Sequence, residues 1–196
     1  SGISHDLRTP LTRMKLQLAF IKDENIAKKL SDDVSEMEKM LNEYLQFASS
    51  SFSEKTEKFN LFKLIEVIVR KYENKKISFK NSNDIYMTGR KNLITRCMNN
   101  LIDNATKYAN NIELQIIKSN DNIFITIDDD GPGISENEYE NVFKPFYKIN
   151  KSRGDAKSSV GLGLSIASDI VRSHGGNIAL GKSRLNGLRV KITLPF

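Results

Sequence analysis

The sequence predicts an α+β chain in two parts. Residues 1–50 form an antiparallel two-helix hairpin that becomes a four-helix bundle on dimerisation, and residues 59–196 form an α/β sandwich. Three observations carry this. Apolar residues recur at helical steps through the first fifty positions. A serine-rich, charged stretch from Ser49 to Lys58 interrupts them and marks a linker at residues 51–58. Beyond it, alternating β-type runs and helical runs follow one another without a strict βαβ rhythm, which suits a mixed sheet covered by helices on one face.

In the first helix Ile3, Leu7, Leu11, Met14, Leu18 and Ile21 recur at steps of four and three. Ile26, Leu30, Val34, Met37, Leu41, Tyr44 and Ala48 do the same in the second. The polar Lys22-Asp23-Glu24-Asn25 between them reads as a short turn, so the helices run antiparallel. One such hairpin buries too little to be stable alone, and a second copy completes a bundle. Pro10 lacks a backbone donor and is expected to bend the first helix. Asn60 is placed to cap a helix running to about Tyr72. Ile77–Phe79 and Ile85–Met87 read as short strands, and residues 90–108 as a helix. Ile112–Ile117 and Ile123–Asp128 alternate as an antiparallel pair turning at Asn120-Asp121. A helix from Leu162 to about Ser173 stops at Gly175-Gly176, and strands near 177–180 and 188–194 close the chain.

Composition narrows the function classes. The chain has 196 residues, 39% hydrophobic and 28% charged, an ordinary globular balance. The net charge of +6 is scattered, with no arginine-rich arm, so nucleic acid is not expected as a partner. The one cysteine, Cys97, excludes an internal disulfide, fits a reducing compartment, and reads as a small buried hydrophobe. No apolar run approaches the roughly 18 residues a membrane span needs. No signal peptide is visible, and the chain opens without Met inside a helical pattern, which reads as a piece excised from a longer protein.

Five stretches hold candidate chemistry. His5 stands in Ser4-His5-Asp6-Leu7-Arg8-Thr9-Pro10-Leu11-Thr12, off the apolar stripe, beside a carboxylate, and one turn from Thr9 on the same face. Locally it is equally a surface histidine. Asn100-Leu101-Ile102-Asp103-Asn104-Ala105-Thr106-Lys107-Tyr108 puts two amides and a lysine on one helix face. Amide oxygens suit Mg²⁺ and a lysine suits phosphate, while the alternative is a solvated polar face. Asp128-Asp129-Asp130-Gly131-Pro132-Gly133-Ile134 follows a strand, where a fixed carboxylate can accept a bond from an exocyclic amine; an ordinary Asp-Gly loop is the alternative. Val142-Phe143-Lys144-Pro145-Phe146-Tyr147 would anchor a mobile loop or simply pack in the core. The charged stretch 148–160 after it reads as a lid. Gly161-Leu162-Gly163-Leu164-Ser165 opens a helix whose amides suit phosphate, though it is neither a Walker nor a Rossmann sequence.

Together and in this order, the five stretches resemble the H, N, first glycine, F and second glycine boxes of a sensor histidine kinase of a two-component system. The resemblance covers essentially the whole chain, and the His-Asp-Leu-Arg-Thr-Pro-Leu-Thr string is closest to the osmosensor (EnvZ-like) branch. It implies that the sandwich is an ATPase domain of the histidine kinase, chaperone and topoisomerase type. His5 would accept the phosphoryl group, Asp6 would act as general base, and Thr9 would position water for dephosphorylating a partner regulator. Asn104 would hold Mg²⁺, with Asn100, Lys107 and Tyr108 around ATP. Asp129 would read adenine in a pocket shaped by Gly131 and Gly133, and Gly161, Leu162, Gly163 and Leu164 would hinge the lid and meet the phosphates. A homodimer, the receiver domain of a response regulator, and a bacterial inner-membrane anchor upstream of this cytoplasmic piece are implied too. Two positions depart from the pattern. Ser159 stands where a further glycine is common and Lys144 where an acid is common, and both bear on lid geometry. A chaperone- or topoisomerase-type ATPase would lack the H box, and a docking pseudokinase would lack some of His5, Asn104 and Asp129.

Overall fold

The computed structural model describes residues 2–72, 76–80, 84–119, 121–149 and 161–196; side chains at 2–8, 43, 44, 46–53 and 80 lie outside the described set. The chain divides into two units, Ser1–Ser53 and Glu54–Phe196. Among the described residues no helix is long and apolar enough to cross a membrane.

The first unit is a helical hairpin of α1 (Gly2–Leu18) and α2 (Glu24–Ser53). Leu11 and Val34 are buried between them. Lys15 donates to Glu38 at 2.5 Å, a pairing favoured because side chains on antiparallel helices lean toward opposite ends. Helix α1 continues through Pro10 but stops at Leu18, short of Ile21. The turn therefore lies at residues 19–23, earlier than the expected Lys22–Asn25. The cause is Asp23, whose Oδ1 accepts the amides of Asn25 (3.0 Å) and Ile26 (3.1 Å) and so starts α2. At the other end α2 runs on through Ser53, because serine is only mildly unfavourable in a helix. The irregular connection narrows to residues 54–56.

The second unit opens with β1 (Glu57–Asn60), a strand the sequence did not suggest. Asn60 caps α3 (Leu61–Val69) as expected, its Oδ1 accepting the Lys63 amide at 3.0 Å. Strands β2 (Lys76–Lys80) and β3 (Tyr86–Gly89) precede α4 (Lys91–Tyr108). The hairpin β4 (Asn111–Ser119) and β5 (Asn122–Asp129) follows, its two-residue turn including Asn120, which lies outside the described residues. Helix α5 (Gly163–Ser173) and strands β6 (Asn177–Lys182) and β7 (Leu188–Pro195) complete the unit.

Five strands form a mixed sheet in the order β2-β4-β5-β7-β6, with β2 parallel to β4 and the other pairs antiparallel; β1 and β3 pair separately. Alternation sets the core. Ile112, Leu114 and Ile116 on β4, Ile123, Ile125 and Ile127 on β5, and Val190, Ile192 and Leu194 on β7 are buried on one face. Over that face lie Leu61, Ile65 and Ile68 of α3, the apolar stripe of α4, and Ile166, Ile170 and Val171 of α5. Fully burying one such side chain contributes about 1.5–3 kcal/mol. Cys97 is among the buried residues of α4, and burial pushes its thiol up to about 12. This is the expected α/β sandwich.

Candidate active site

Helix α4 is the spine of the site. Leu93, Ile94, Cys97, Met98, Leu101, Ile102 and Ala105 are buried along one stripe. Asn100, Asn104 and Tyr108, at steps of four, then share a second face beside it. Eight residues of helix rise about 12 Å, a length suited to an extended nucleoside triphosphate.

At one end of that face, Asn100 is half-buried, and its Nδ2 is buried without a hydrogen-bond partner among the described residues. Asn60 Nδ2, at the cap of α3, is the other such atom among the described residues; the Asn100 donor lies on the face shared with Asn104 and Tyr108, where it fits an acceptor supplied by a ligand. Gly163 adjoins it: a Cβ there would lie 3.9 Å from Asn100 Cβ. Leu162, buried at the cap position of α5, gives no side-chain cap, so the first amides of that helix are open to an anion. Leu164 is half-buried, and Ser165 turns its hydroxyl inward to Leu162 O at 2.9 Å.

At the other end, a Cβ on Gly131 would come 3.0 Å from the Tyr108 carbonyl, which brings the turn after β5 against α4. Three consecutive aspartates here do three different things. Asp128 faces the outer side of the sheet, where Arg189 grips it through Nε (2.8 Å) and a terminal nitrogen (2.9 Å). That bond raises the pKa of the Arg189 guanidinium. Asp130 accepts the amides of Asn110 (2.8 Å) and Asn111 (2.9 Å), and the Asn111 bonds hold its carboxyl below the usual range. Asp129 is 5% exposed and faces inward. Its Oδ1 accepts the amides of Gly131 (2.9 Å) and Leu188 (3.0 Å), while Oδ2 has no hydrogen-bond partner among the described residues. A fixed, buried carboxylate with one free oxygen suits an amine donor. Gly133 follows at a φ of 71°.

The sequence reading missed Gly187. Its amide donates to Asp129 O at 3.1 Å, and a Cβ on it would lie 2.3 Å from Asp129 Oδ1. The turn before β7 is thus the floor of the Asp129 site. The sequence signal was the dipeptide Asn186-Gly187, with Asn186 at a φ of 73°.

The Val142–Tyr147 stretch is not plain core. Val142 is buried, Phe143 is half-buried, and Phe146 is exposed at a φ of 64°. The Phe146 amide donates to Gly161 O at 3.0 Å. Gly161 has a φ of 80°, and a Cβ there would be 2.9 Å from Tyr147 O. Tyr147 donates to Glu138 Oε2 at 2.5 Å, and that bond pushes its phenol up. The two ends of the expected lid are thereby joined; residues 150–160, with Ser159, lie outside the described residues. Lys144 donates to Asn141 Oδ1 at 2.7 Å. Exposed Lys107 holds its ammonium 5.0 Å from the Tyr108 ring centroid.

The structure therefore brings Asn100, Asn104, Tyr108, Asp129, Gly131 and Gly161–Leu164 to one helix and its two flanks. His5, Asp6 and Thr9 belong to the other unit. The side chains of His5 and Asp6 lie outside the described residues, and Thr9 is exposed on α1.

Comparison with known proteins matches residues 89–196 to the family described as "Histidine kinase-, DNA gyrase B-, and HSP90-like ATPase" and residues 1–51 to the "His Kinase A (phospho-acceptor) domain". The sensor histidine kinase GtrS of Pseudomonas aeruginosa is 34% identical over 197 residues, covering all of this chain and 41% of that protein. Among solved structures, Acinetobacter baumannii histidine kinase AdeS is 24% identical with a TM-score of 0.64, covering 97% of each chain. Full-length ShkA in complex with AMPPNP is 17% identical with a TM-score of 0.72, covering all of this chain and 45% of that one. At those identities the two structures speak to fold. The chain spans about two-fifths of the length of the curated relatives it matches.

Proposed function

The chain belongs to the histidine kinase-, DNA gyrase B- and HSP90-like ATPase family and carries the two domains of a sensor histidine kinase, and from that premise we propose that it is the catalytic core of an ATP-dependent protein-histidine autokinase. His5 takes the γ-phosphoryl group of ATP and passes it to an aspartate of a response-regulator receiver domain. The observation that carries the reading is the orphan Nδ2 of Asn100 beside the uncapped start of α5, with the free Oδ2 of Asp129 at the far end of the same helix face. One end offers donors to phosphate and the other an acceptor to the adenine amine.

Asn104 would hold Mg²⁺. Among the described residues no group of three or more His, Cys, Asp or Glu could hold a metal ion, so its remaining ligands would come from phosphates and water. The ion would neutralise charge on the transferring group. Lys107 adds a point charge, Tyr108 lies against the nucleotide, Gly131 and Gly133 shape the adenine pocket, and Gly161, Leu162, Gly163 and Leu164 hinge the lid and meet the phosphates. Asp6 draws the ring proton of His5 and so raises the nucleophilicity of its other nitrogen, and positioning of the pair supplies most of the rate.

The finer assignments belong to the same proposal. The protein works as a homodimer, which is supported by the apolar residues Met14, Ile26, Leu30 and Met37, still exposed on the hairpin. The division of the chain after Ser53 supports a phosphotransfer domain followed by an ATP-binding domain, with the connection shortened from the expected 51–58 to residues 54–56. The string from His5 to Thr12 favours the EnvZ-like branch, with the membrane anchor and sensor upstream. Thr9 serves a phosphatase activity toward the regulator, so Thr9→Ala should keep the autokinase and lose regulator dephosphorylation by about tenfold or more; equal loss of both activities removes that role.

The test of the whole reading is incubation with γ-labelled ATP and Mg²⁺. Acid-labile, base-stable label is expected on the wild-type chain and none on His5→Gln. ATP turnover persisting in His5→Gln would make it an ATPase of another kind, and nucleotide binding without any label would make it a scaffold.

A further inference from the structure

A row of charges crosses the outer face of the sheet, behind the end of β5 that carries Asp129. Glu113 of β4 stands directly opposite Asp128 of β5, and Asp128 directly opposite Arg189 of β7. Two carboxylates paired across neighbouring strands destabilise a sheet. Asp128 is also only 1% exposed, and a buried charge is tolerated only when it is paired. Two guanidiniums supply the pairing. Arg189 grips both oxygens of Asp128. Arg184 forms ion pairs with Glu113 through a terminal nitrogen (2.7 Å) and with Asp128 through Nε (3.5 Å).

Both arginines belong to the segment that builds the Asp129 site. Arg184 sits in the turn between β6 and β7, where the Ser183 amide donates to Gly187 O (3.0 Å) and the Leu185 amide to Ser183 Oγ (2.9 Å). Gly187 and Leu188 then donate their amides to Asp129 O and Oδ1. Residues 184–189 are thus bound to the end of β5 on both faces, by Asp128 outside and by Asp129 inside. The direction of the free Oδ2 of Asp129 depends on the bonds made by Oδ1, and a hydrogen bond weakens steeply away from its preferred angle. An isolated surface ion pair would contribute little to holding this geometry. Here the fork of Arg189 fixes orientation as well as charge, and half-exposed Arg184 joins the turn to two strands at once.

We propose that Arg184 and Arg189, acting through Asp128, are positioning residues for nucleobase selection: they hold the β6–β7 turn so that Oδ2 of Asp129 is aimed at the exocyclic amine of adenine. The inference rests on the reading of Asp129 as the adenine acceptor. The network serves recognition of the amine and leaves the triphosphate, at the other end of the α4 face, to Asn100 and the start of α5.

The experiment uses the full 196-residue chain. Displacement of a fluorescent ATP analogue gives affinities for ATP and for purine riboside triphosphate, which has the same sugar and phosphates but no exocyclic amine. The ratio of the two cancels changes in long-range charge and in folded fraction, since both act on the two nucleotides alike. The wild type should prefer ATP by about ten- to a hundredfold, the worth of one charge-assisted hydrogen bond, and Asp129→Asn should abolish the preference. Arg184→Gln, Arg189→Lys and Asp128→Asn should each cut it about three- to tenfold, as loss of one member of a coupled network does, with purine riboside triphosphate affinity within about twofold of wild type. Arg189→Lys keeps the charge but not the fork, so a lost preference there is a loss of geometry. Thermal midpoints are followed in parallel, and half-exposed Arg184 decides the matter should Asp128→Asn not fold. A wild-type preference in both Arg184→Gln and Arg189→Lys overturns the inference. So does an equal loss of affinity for the two nucleotides, which marks a role in stability alone. A wild type without preference for ATP, or a preference that survives Asp129→Asn, would instead sink the adenine reading of Asp129.

Discussion

Asp129 differs from its neighbours in the direction its carboxylate faces. Strand parity places residues 123, 125, 127 and 129 of β5 inward, so the alternation of the sequence already separates Asp129 from Asp128. The second part of its setting was not legible. Gly187 touches it only because β5 pairs with β7 across some sixty residues, and a lone glycine in a turn does not announce that contact. Two predictions belong at this scale. Asp129→Asn keeps an oxygen for the Gly131 and Leu188 amides but turns an N–H toward the ligand amine. Nucleotide affinity should fall about ten- to a hundredfold, the worth of one charge-assisted hydrogen bond, with little change in melting temperature; titration with a fluorescent ATP analogue measures it. Gly187→Ala forces a methyl to within 2.3 Å of Asp129 Oδ1. It should destabilise the chain by about 1–3 kcal/mol and weaken the same affinity, read by denaturant titration and the same analogue. A Gly187→Ala chain of unchanged stability would mean that the turn yields freely.

The elements were legible wherever a period ran long enough. Helices α2 and α4 and the β4–β5 hairpin follow from spacing alone, since their apolar positions repeat several times. Strand β1 was hidden because it has only four residues and its partner β3 lies 29 positions away. The end of α1 falls earlier than the stripe predicts because Ile21, three residues after Leu18, extends the apolar pattern past a turn that Asp23 enforces by capping α2. The junction of α4 and α5 rests on His174, the second histidine of the chain. Its Nδ1–H donates to Ile170 O at 2.8 Å while Nε2 accepts from Arg90. Only the neutral ring can do both. Burial is the main cause that lowers its pKa below 6.5, with the Arg90 charge lowering and the Ile170 bond and Glu54 charge raising it. The unfolded histidine therefore binds a proton more readily than the folded one in the window just below pH 6.5. Stability from this group should be fully present above that window and fall as pH drops through it toward the folded value. In His174→Gln this part of the slope should vanish. Denaturation midpoints of the two chains between pH 5 and 7 decide it, and parallel slopes would clear His174 of the role.

The hairpin of the first unit, taken by itself, is an incomplete object. A two-helix unit of 53 residues buries Leu11 and Val34 but leaves Met14, Leu16, Phe20, Ile26, Leu30 and Met37 more than a third exposed. Four of these, Met14, Ile26, Leu30 and Met37, lie on the stripe read from the sequence, so the exposed residues follow a helical seam rather than scattering. Among its described residues the second unit shows no such seam, because α3, α4 and α5 all turn their stripes onto the sheet. An unpartnered seam with coiled-coil spacing calls for a second copy, which brings the same seam to it under two-fold symmetry. Leu30→Lys with Met37→Lys places two charges per protomer on that seam, each replacing a side chain whose burial contributes about 1.5–3 kcal/mol. The double variant should raise the dimer dissociation constant at least about a hundredfold and lower His5 labelling, while analogue binding, which belongs to the second unit, stays as in the wild type. Sedimentation equilibrium across a concentration series reads the first effect directly. A variant that remains as dimeric as the wild type would show that the subunits meet through some other surface.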